Sequence, residues 1–126
     1  MTKQPVQSVQ APQPIGTYSQ AIRAAGAVYL SGQIGLDPAT MLCAQTFGEQ
    51  ADQVCRNLQA IATAAGLDLD TAVKLTVFLT DLAHFTQLNE IMSQYFRQSY
   101  PARSAAGVSV LPRGALHEIE AILAQD

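Results

Sequence analysis

The 126-residue chain has no tryptophan, only two cysteines and few charged residues, and these scarcities exclude several classes of protein. Charged residues make up 13% of the sequence and the net charge is -3, so no broad basic surface is available to bind nucleic acid. No apolar run approaches the length of a membrane span or of a signal-peptide core. The sequence therefore predicts a soluble, cytoplasmic protein that does not use nucleic acid or a membrane as its main partner.

Neither cysteine belongs to a recognisable metal or redox motif. Cys43 and Cys55 form no CxxC pair and have no histidine at metal-ligand spacing. Cys55 falls on the apolar side of a predicted helix and Cys43 in a predicted turn, so both are expected to be free thiols. The chain also lacks a P-loop and a dinucleotide-binding fingerprint. We therefore expect no zinc site, no redox motif and no nucleotide or nicotinamide cofactor.

Apolar residues are the abundant class, at 48% of the sequence, and they can form one real core. We expect a single domain over residues 1–126. Residues 1–14 contain three prolines and several glutamines, a composition typical of an irregular N-terminal arm.

Periodicity predicts the elements that follow the arm. The segment 27–31 is β-prone, ends at Gly32 and is continued by 34–36, which indicates a strand and then a hairpin. Apolar positions recur every three or four residues from 47 to 65 and are followed by Gly66, as in a helix with a glycine C-cap. The segment 73–79 alternates as a strand whose odd-numbered residues, including Val73, are buried.

The second half of the chain predicts one more helix and two more strands. Asp81 could cap a helix whose apolar stripe runs from Leu82 to Phe96, before Pro101. Strands are predicted from about 103 to 110 and from 116 to 124, with a turn at 112–114 that would allow a hairpin. The fold class is therefore α+β, with five or six mostly antiparallel strands and two helices on one face. Because the other sheet face also needs cover, we predict an oligomer.

Two acidic residues on the last strand are candidates for chemistry. Period-two geometry places Glu118 and Glu120 on one face, about 6 to 7 Å apart, where each would raise the pKa of the other. One of them could act as a general base. The alternative is that both carboxylates only solvate an exposed strand face.

Arg103 is the candidate for recognition of a carboxylate, because a guanidinium fork binds that group in two places and Pro101 restrains the backbone just upstream. A surface ion pair is the alternative for this residue. His84 and His117 have no nucleophile nearby, and Lys74 on its strand fits a solvated lysine better than a Schiff base.

Several separated strings follow one another along the chain. They are Ile15-Gly16-Thr17-Tyr18-Ser19-Gln20-Ala21, Ser31-Gly32-Gln33-Ile34, Thr76-Val77-Phe78-Leu79-Thr80-Asp81-Leu82, Asn89-Glu90, Tyr100-Pro101-Ala102-Arg103-Ser104, and Leu111-Pro112 followed by Glu118-Ile119-Glu120. Each string alone is weak, but together and in this order they are specific. They resemble one known family, the RidA/YjgF proteins, also called endoribonuclease L-PSP, and the likeness runs from about residue 11 to 124.

The resemblance implies a chorismate-mutase-like fold and a homotrimer with three clefts between subunits. It also implies hydrolytic deamination of reactive enamines and imines, such as 2-aminoacrylate and 2-iminopropanoate, to keto acids and ammonia, without a metal or cofactor. Arg103 would hold the substrate carboxylate and Glu118 would activate water. The remaining residues implied to bind substrate are Tyr18, Ser31, Gly32, Asn89 and the backbone of Ala105.

Two other functions stay open at this point. Some relatives are described as RNA-cleaving translation inhibitors, which the acidic pI disfavours. A non-catalytic trimer that senses a small keto acid, or acts as a chaperone, would need Arg103 but not the acid of Glu118.

The sequence departs from the family pattern at four positions. Thr17 replaces a usual proline, Ala105 a frequent cysteine and Gly107 a common glutamate. Met41 replaces the usual turn glycine, which would cost about 1 to 2 kcal/mol if its backbone is left-handed.

Overall fold

The computed structural model describes residues 2–126 and contains six strands and two helices. In chain order these are β1 (Gln4–Val6), β2 (Ala21–Ala24), β3 (Ala27–Gln33), α1 (Phe47–Ala64), β4 (Ala72–Leu79), α2 (Phe85–Met92), β5 (Ala102–Gly107) and β6 (His117–Ala124). Short 3-10 turns lie at Leu69–Thr71, Leu82–His84 and Pro112–Gly114. Within residues 2–126, no helix combines the length and apolarity that crossing a membrane requires.

All six strands form one sheet in the order β1-β2-β3-β6-β4-β5. Every neighbouring pair is antiparallel except β4 and β5, which are parallel. The parallel pair follows from the connection, since α2 carries the chain back to the end of the sheet at which β4 began. The predicted α+β class, with a mostly antiparallel sheet and two helices, is confirmed.

Helix α1 forms where its apolar stripe predicts it. Thr46 and Glu49 build a capping box at the start, and Gly66 follows the end with a left-handed φ of 79°. Its buried side, which includes Val54, Leu58 and Ile61 at 0% exposure, packs on the sheet. Buried side chains of β3, β4 and β6 form the sheet side of the same hydrophobic core.

The second helix is shorter than its stripe suggests. Asp81 does cap, but it accepts from the backbone of Ala83 at the head of a 3-10 turn, and α2 itself ends at Met92. Phe96 is nevertheless buried, because it reaches the core from the turn that follows the helix. The apolar spacing thus identified the buried residues correctly and overextended the helix.

The prediction of an irregular arm over residues 1–14 is wrong for Gln4–Val6, which pair with β2 as an edge strand. Val6 is buried, so this short segment gains core contacts that its prolines and glutamines do not indicate. The first hairpin also lies earlier than predicted. It joins β2 to β3, while Leu36 forms only an isolated bridge with Cys43.

Two expectations about strand geometry also fail. Val73 is 49% exposed, because the pairing of β4 with β6 shifts between Ala72 and Lys74 and the extra residue turns outward. β5 and β6 do not form a hairpin, since β4 lies between them. All six residues of β5 are exposed, which leaves one whole edge of the sheet open.

Candidate functional site

Arg103 lies on β5 opposite Leu75, on the sheet face that carries the helices. Its Nη1 donates to Asn89 Oδ1 at 2.7 Å and approaches Met92 Sδ at 3.8 Å. Its Cζ stands 5.0 Å from the centre of the Phe85 ring, within the range of a cation–π contact. Among residues 2–126 it forms no ion pair with a carboxylate. The guanidinium is oriented but not neutralised, which suits the capture of an anion.

A cavity of about 360 Å³ opens beside Arg103. Its lining includes Asn89 and Met92 from α2, Leu75 from β4, and Tyr100 just before β5. The wall is apolar around one cationic fork, so a small organic acid could direct its carboxylate to Arg103 and its carbon chain to the other side chains.

Glu118 lies on β6 and pairs with Phe78 of β4. Its side chain is on the sheet face opposite to the one that carries Arg103 and the helices. Its side chain is half-buried, and burial raises its pKa, with a smaller contribution from the neighbouring charge of Glu120. The direction for Glu118 is the expected one, although burial and not the charge of Glu120 is the larger cause. A carboxylate with a raised pKa is a stronger base while it remains ionised near neutral pH.

Gly32 supplies the space in which the Glu118 carboxylate sits. A Cβ built on Gly32 would lie 2.5 Å from Glu118 Oε2 and 2.8 Å from its carboxyl carbon. No side-chain atom can therefore occupy this position while the carboxylate stays where it is.

A second cavity, of about 290 Å³, surrounds Glu118. Tyr18, Gln13 and Pro12 from the chain before β2 form one wall, with Gly32 and Arg113 on the others. Tyr18 is half-exposed, and its hydroxyl accepts a hydrogen bond from the backbone N–H of Ile15 at 3.3 Å. The tyrosine is thus at the cavity mouth, as a covering side chain must be.

Ser31 and Ala105 occupy less direct positions. The Ser31 hydroxyl donates to the carbonyl of Ser19 at 2.6 Å, so it ties β3 to the segment that carries Tyr18. Ala105 is exposed on β5 opposite Val77, two residues beyond Arg103 and on the same face.

The seven candidate residues therefore fall into two groups within one chain. Arg103, Asn89 and Ala105 lie on the helix face of β5 and α2, whereas Glu118, Gly32 and Tyr18 line the other cavity and Ser31 precedes Gly32 on β3. Strand β4 separates Arg103 from Glu118, which puts them roughly 10 Å apart across the sheet and a similar distance along it, on opposite faces. A single chain does not bring the guanidinium and the acid together.

Several side chains at these cavities were missed by sequence reasoning. Phe85 supports the Arg103 guanidinium, and Gln13, Gln20 and Arg113 line the Glu118 cavity. Of these, only Gln20 belongs to one of the motifs identified in the sequence, the string around Tyr18.

Comparison with known proteins identifies the family. The family model described as endoribonuclease L-PSP matches residues 8–125. The chain is a member of the RidA/YjgF family. Among solved structures, RidA from the Antarctic bacterium Psychrobacter sp. PAMC 21119 is 47% identical, has a TM-score of 0.94, and is matched over 96% of this chain and 98% of that one.

Two relatives from this family carry different names. Protein DfrA of Myxococcus xanthus is 47% identical over 97% of this chain and 95% of its own length. The 2-iminobutanoate/2-iminopropanoate deaminase of Mus musculus is 46% identical over 95% of this chain and 90% of its own length. Family membership therefore agrees with the resemblance seen in the motifs, and the RidA relatives share this fold over nearly their whole length.

Proposed function

We propose that this RidA-family protein hydrolyses 2-imino acids and their enamine tautomers, of the 2-iminopropanoate and 2-aminoacrylate type, to 2-keto acids and ammonia. The observation that carries the proposal is the pair of complementary half-sites. One offers an unpaired, oriented guanidinium and the other a half-buried carboxylate with a raised pKa. The deaminase names of mammalian relatives give the same reaction class.

The two half-sites require a neighbouring copy of the chain. The exposed β5 edge and the uncovered sheet face, with Tyr29 and Val73 about half exposed, leave apolar surface for such a neighbour. We infer a homotrimer in which the Arg103 cavity of one copy meets the Glu118 cavity of the next, giving three equivalent clefts. This arrangement accounts for the separation of Arg103 and Glu118 within one chain.

In such a cleft, Arg103 binds the substrate carboxylate in two places and fixes the planar C=N carbon beside a water molecule. Glu118 takes a proton from that water as its oxygen bonds to the carbon, and passes this proton to the imine nitrogen, which gives a carbinolamine. Glu118 then takes the hydroxyl proton and delivers it to the nitrogen as the C–N bond breaks, so ammonia leaves, the keto acid remains and Glu118 is ionised again. An enamine enters the same route after a proton is added to its terminal carbon.

Activity measurement tests the assignment directly. The protein is incubated with 2-iminopropanoate generated in situ, and loss of the imine is followed against buffer. Arg103→Ala should lower kcat/KM by about 10²- to 10³-fold, because a charged hydrogen-bonded contact is lost. Glu118→Gln should abolish most of the acceleration yet still bind pyruvate, which separates hydrolysis from mere sensing of a keto acid. No acceleration by the wild type refutes the proposal.

Complementation between copies tests the shared cleft. Arg103→Ala and Glu118→Gln subunits are each inactive alone, but coexpression in equal amounts should restore about a quarter of wild-type activity, since one in four clefts then combines both intact residues. Activity no greater than that of the separate variants would contradict a site built from two copies. A single-chain mass in solution would contradict it as well.

A further inference from the structure

Gln20 is a buried amide just before β2, with only 2% of its surface exposed. Its Nε2 lies within hydrogen-bond distance of the carbonyls of Ser8 at 3.0 Å, Ala11 at 3.3 Å and Pro12 at 2.9 Å. Its Oε1 accepts from the backbone N–H of Ser8 at 2.6 Å. One side chain thus contacts four backbone groups of a segment that has no strand or helix of its own, with its two amide N–H donors shared among three carbonyls.

The segment that Gln20 holds is a wall of the Glu118 cavity. Pro12, Gln13 and Tyr18 line that cavity together with Gln20 itself. The Ser31 backbone N–H donates to the Gln20 carbonyl at 2.9 Å, so the main chain at Gln20 is fixed to β3 next to Gly32. The amide therefore connects the irregular wall to the rigid strand that positions the glutamate.

Gln13 also binds this segment, but less securely. Its Nε2 donates to the carbonyls of Ser8 at 2.9 Å and Ala11 at 3.2 Å, but the residue itself is exposed. Because Gln20 is fully enclosed and touches one more carbonyl, it is the principal anchor.

We propose that Gln20 is a positioning residue for the hydrolase: its neutral amide holds residues 8–12 so that the wall carrying Gln13 and Tyr18 closes on substrate beside Glu118. The inference rests on the proposed function for its catalytic meaning. Gln20 acts through the wall and not by chemistry on the substrate, so its loss should be felt mainly in KM.

The variant Gln20→Glu tests this role, because its effect should depend on pH, whereas the effect of simple destabilisation should not. In Gln20→Glu, an ionised carboxylate would face three carbonyl oxygens and could not donate to them. Burial and these oxygens would raise the pKa of the new acid, so a neutral form that donates one bond returns as the pH falls. We expect KM about tenfold above wild type at pH 8 and closer to wild type at pH 5.5, with kcat changed less.

The amide exchange of residues 8–13, corrected for intrinsic exchange at each pH, should follow the same course. Protection of this segment should be lost in Gln20→Glu at pH 8 and partly recovered at pH 5.5, while wild type stays protected at both. Among residues 2–126, the charged side chains that line the same cavity are Glu118 and Arg113, and both are present in wild type, which serves as the reference.

Gln50→Glu is the matched control. Gln50 is also buried, at 4% exposure, and its amide bridges the carbonyl of Ala44 and the N–H of Leu116, away from the arm. It should lower the thermal midpoint without a pH-dependent KM and without loss of protection at residues 8–13.

Wild-type KM and protection in Gln20→Glu at pH 8 would overturn the inference. So would a rise in KM that is the same at both pH values and is shared by Gln50→Glu. If wild type itself fails to hydrolyse imines, the proposed function fails, but exchange at residues 8–13 still decides whether Gln20 anchors the arm.

Discussion

Gly32 and Glu118 are in direct steric relation across β3 and β6: a Cβ at position 32 would stand 2.5 Å from Glu118 Oε2. The absence of a side chain at position 32 is therefore part of how the carboxylate is placed. This explains why a glycine is needed at the strand end even though the backbone there does not adopt a left-handed conformation.

Gly32→Ala should displace the Glu118 carboxylate without unfolding the protein, since the obstructing atoms belong to the end of a flexible side chain. We expect kcat for imine hydrolysis to fall by about 10- to 100-fold, because proton transfer depends on the position of the base. The thermal midpoint should change little. Gly48→Ala on α1 is the control, because its added methyl meets only the end of Gln87, and it should keep full activity. Equal activity in both variants would contradict the packing argument.

Asn89→Ala should weaken the hold on Arg103, whose Nη1 it accepts at 2.7 Å. The guanidinium would keep its charge and its contact with Phe85 but lose its fixed direction, so KM should rise several-fold with kcat nearly unchanged. Asn89→Asp should raise KM further, because a carboxylate beside Arg103 competes with the substrate. Steady-state kinetics on both variants test this, with Glu90→Ala on the same helix as the control. A larger effect of Ala than of Asp would contradict it.

Prediction from the sequence was most accurate where a periodic apolar pattern packs against a rigid part of the fold. The α1 stripe and Gly66 together predicted a helix whose ends are right to within a residue, since each local preference agreed with the packing. The same reasoning overextended the second helix, because Tyr95 and Phe96 continue the apolar spacing in the turn that follows Met92, where both N–H groups donate to the Met92 carbonyl.

Strand pairing was harder, because it depends on partners far away in the chain. Nothing around Arg103 indicates that β5 pairs with β4 in parallel, and the turn at Pro112–Gly114 looks like a hairpin turn. Motifs singled out Glu118 and Arg103 as candidates, but their placement on opposite faces could not be read from spacing. The bulge that exposes Val73 likewise leaves no mark on the alternation.

Met41 adopts a left-handed backbone conformation, with φ of 59°. The steric strain that the sequence predicted for a non-glycine residue at this turn position is therefore present. Met41→Gly should remove that strain and raise the free energy of unfolding by about 1 kcal/mol, after the entropy cost of the added flexibility. Met41→Ala keeps the Cβ and should give no such gain, which makes it the matched control. Chemical denaturation measures both. Equal stability of the glycine and alanine variants would show that the left-handed backbone is not the source of strain.

His117 makes the fold sensitive to acid. The ring is fully buried against Phe47, and neither ring nitrogen has a hydrogen-bond partner among residues 2–126. Burial is the main cause that lowers its pKa from the usual 6.5 to about 4, and nearby His84 acts in the same direction. The folded protein therefore keeps this histidine neutral at pH values where the unfolded chain already protonates it.

Because the unfolded state binds more protons, the part of the unfolding free energy that depends on a neutral His117 is fully present above pH 6.5. It is lost as the pH falls toward 4. The loss from this residue should approach about 3 kcal/mol across that interval. His117→Leu fills a similar space without a titratable group, so its unfolding free energy should depend less on pH between 6.5 and 4 and should exceed that of wild type at pH 5. Urea denaturation of both proteins at several pH values measures the difference. Parallel pH profiles for the two would place the acid sensitivity elsewhere in the molecule.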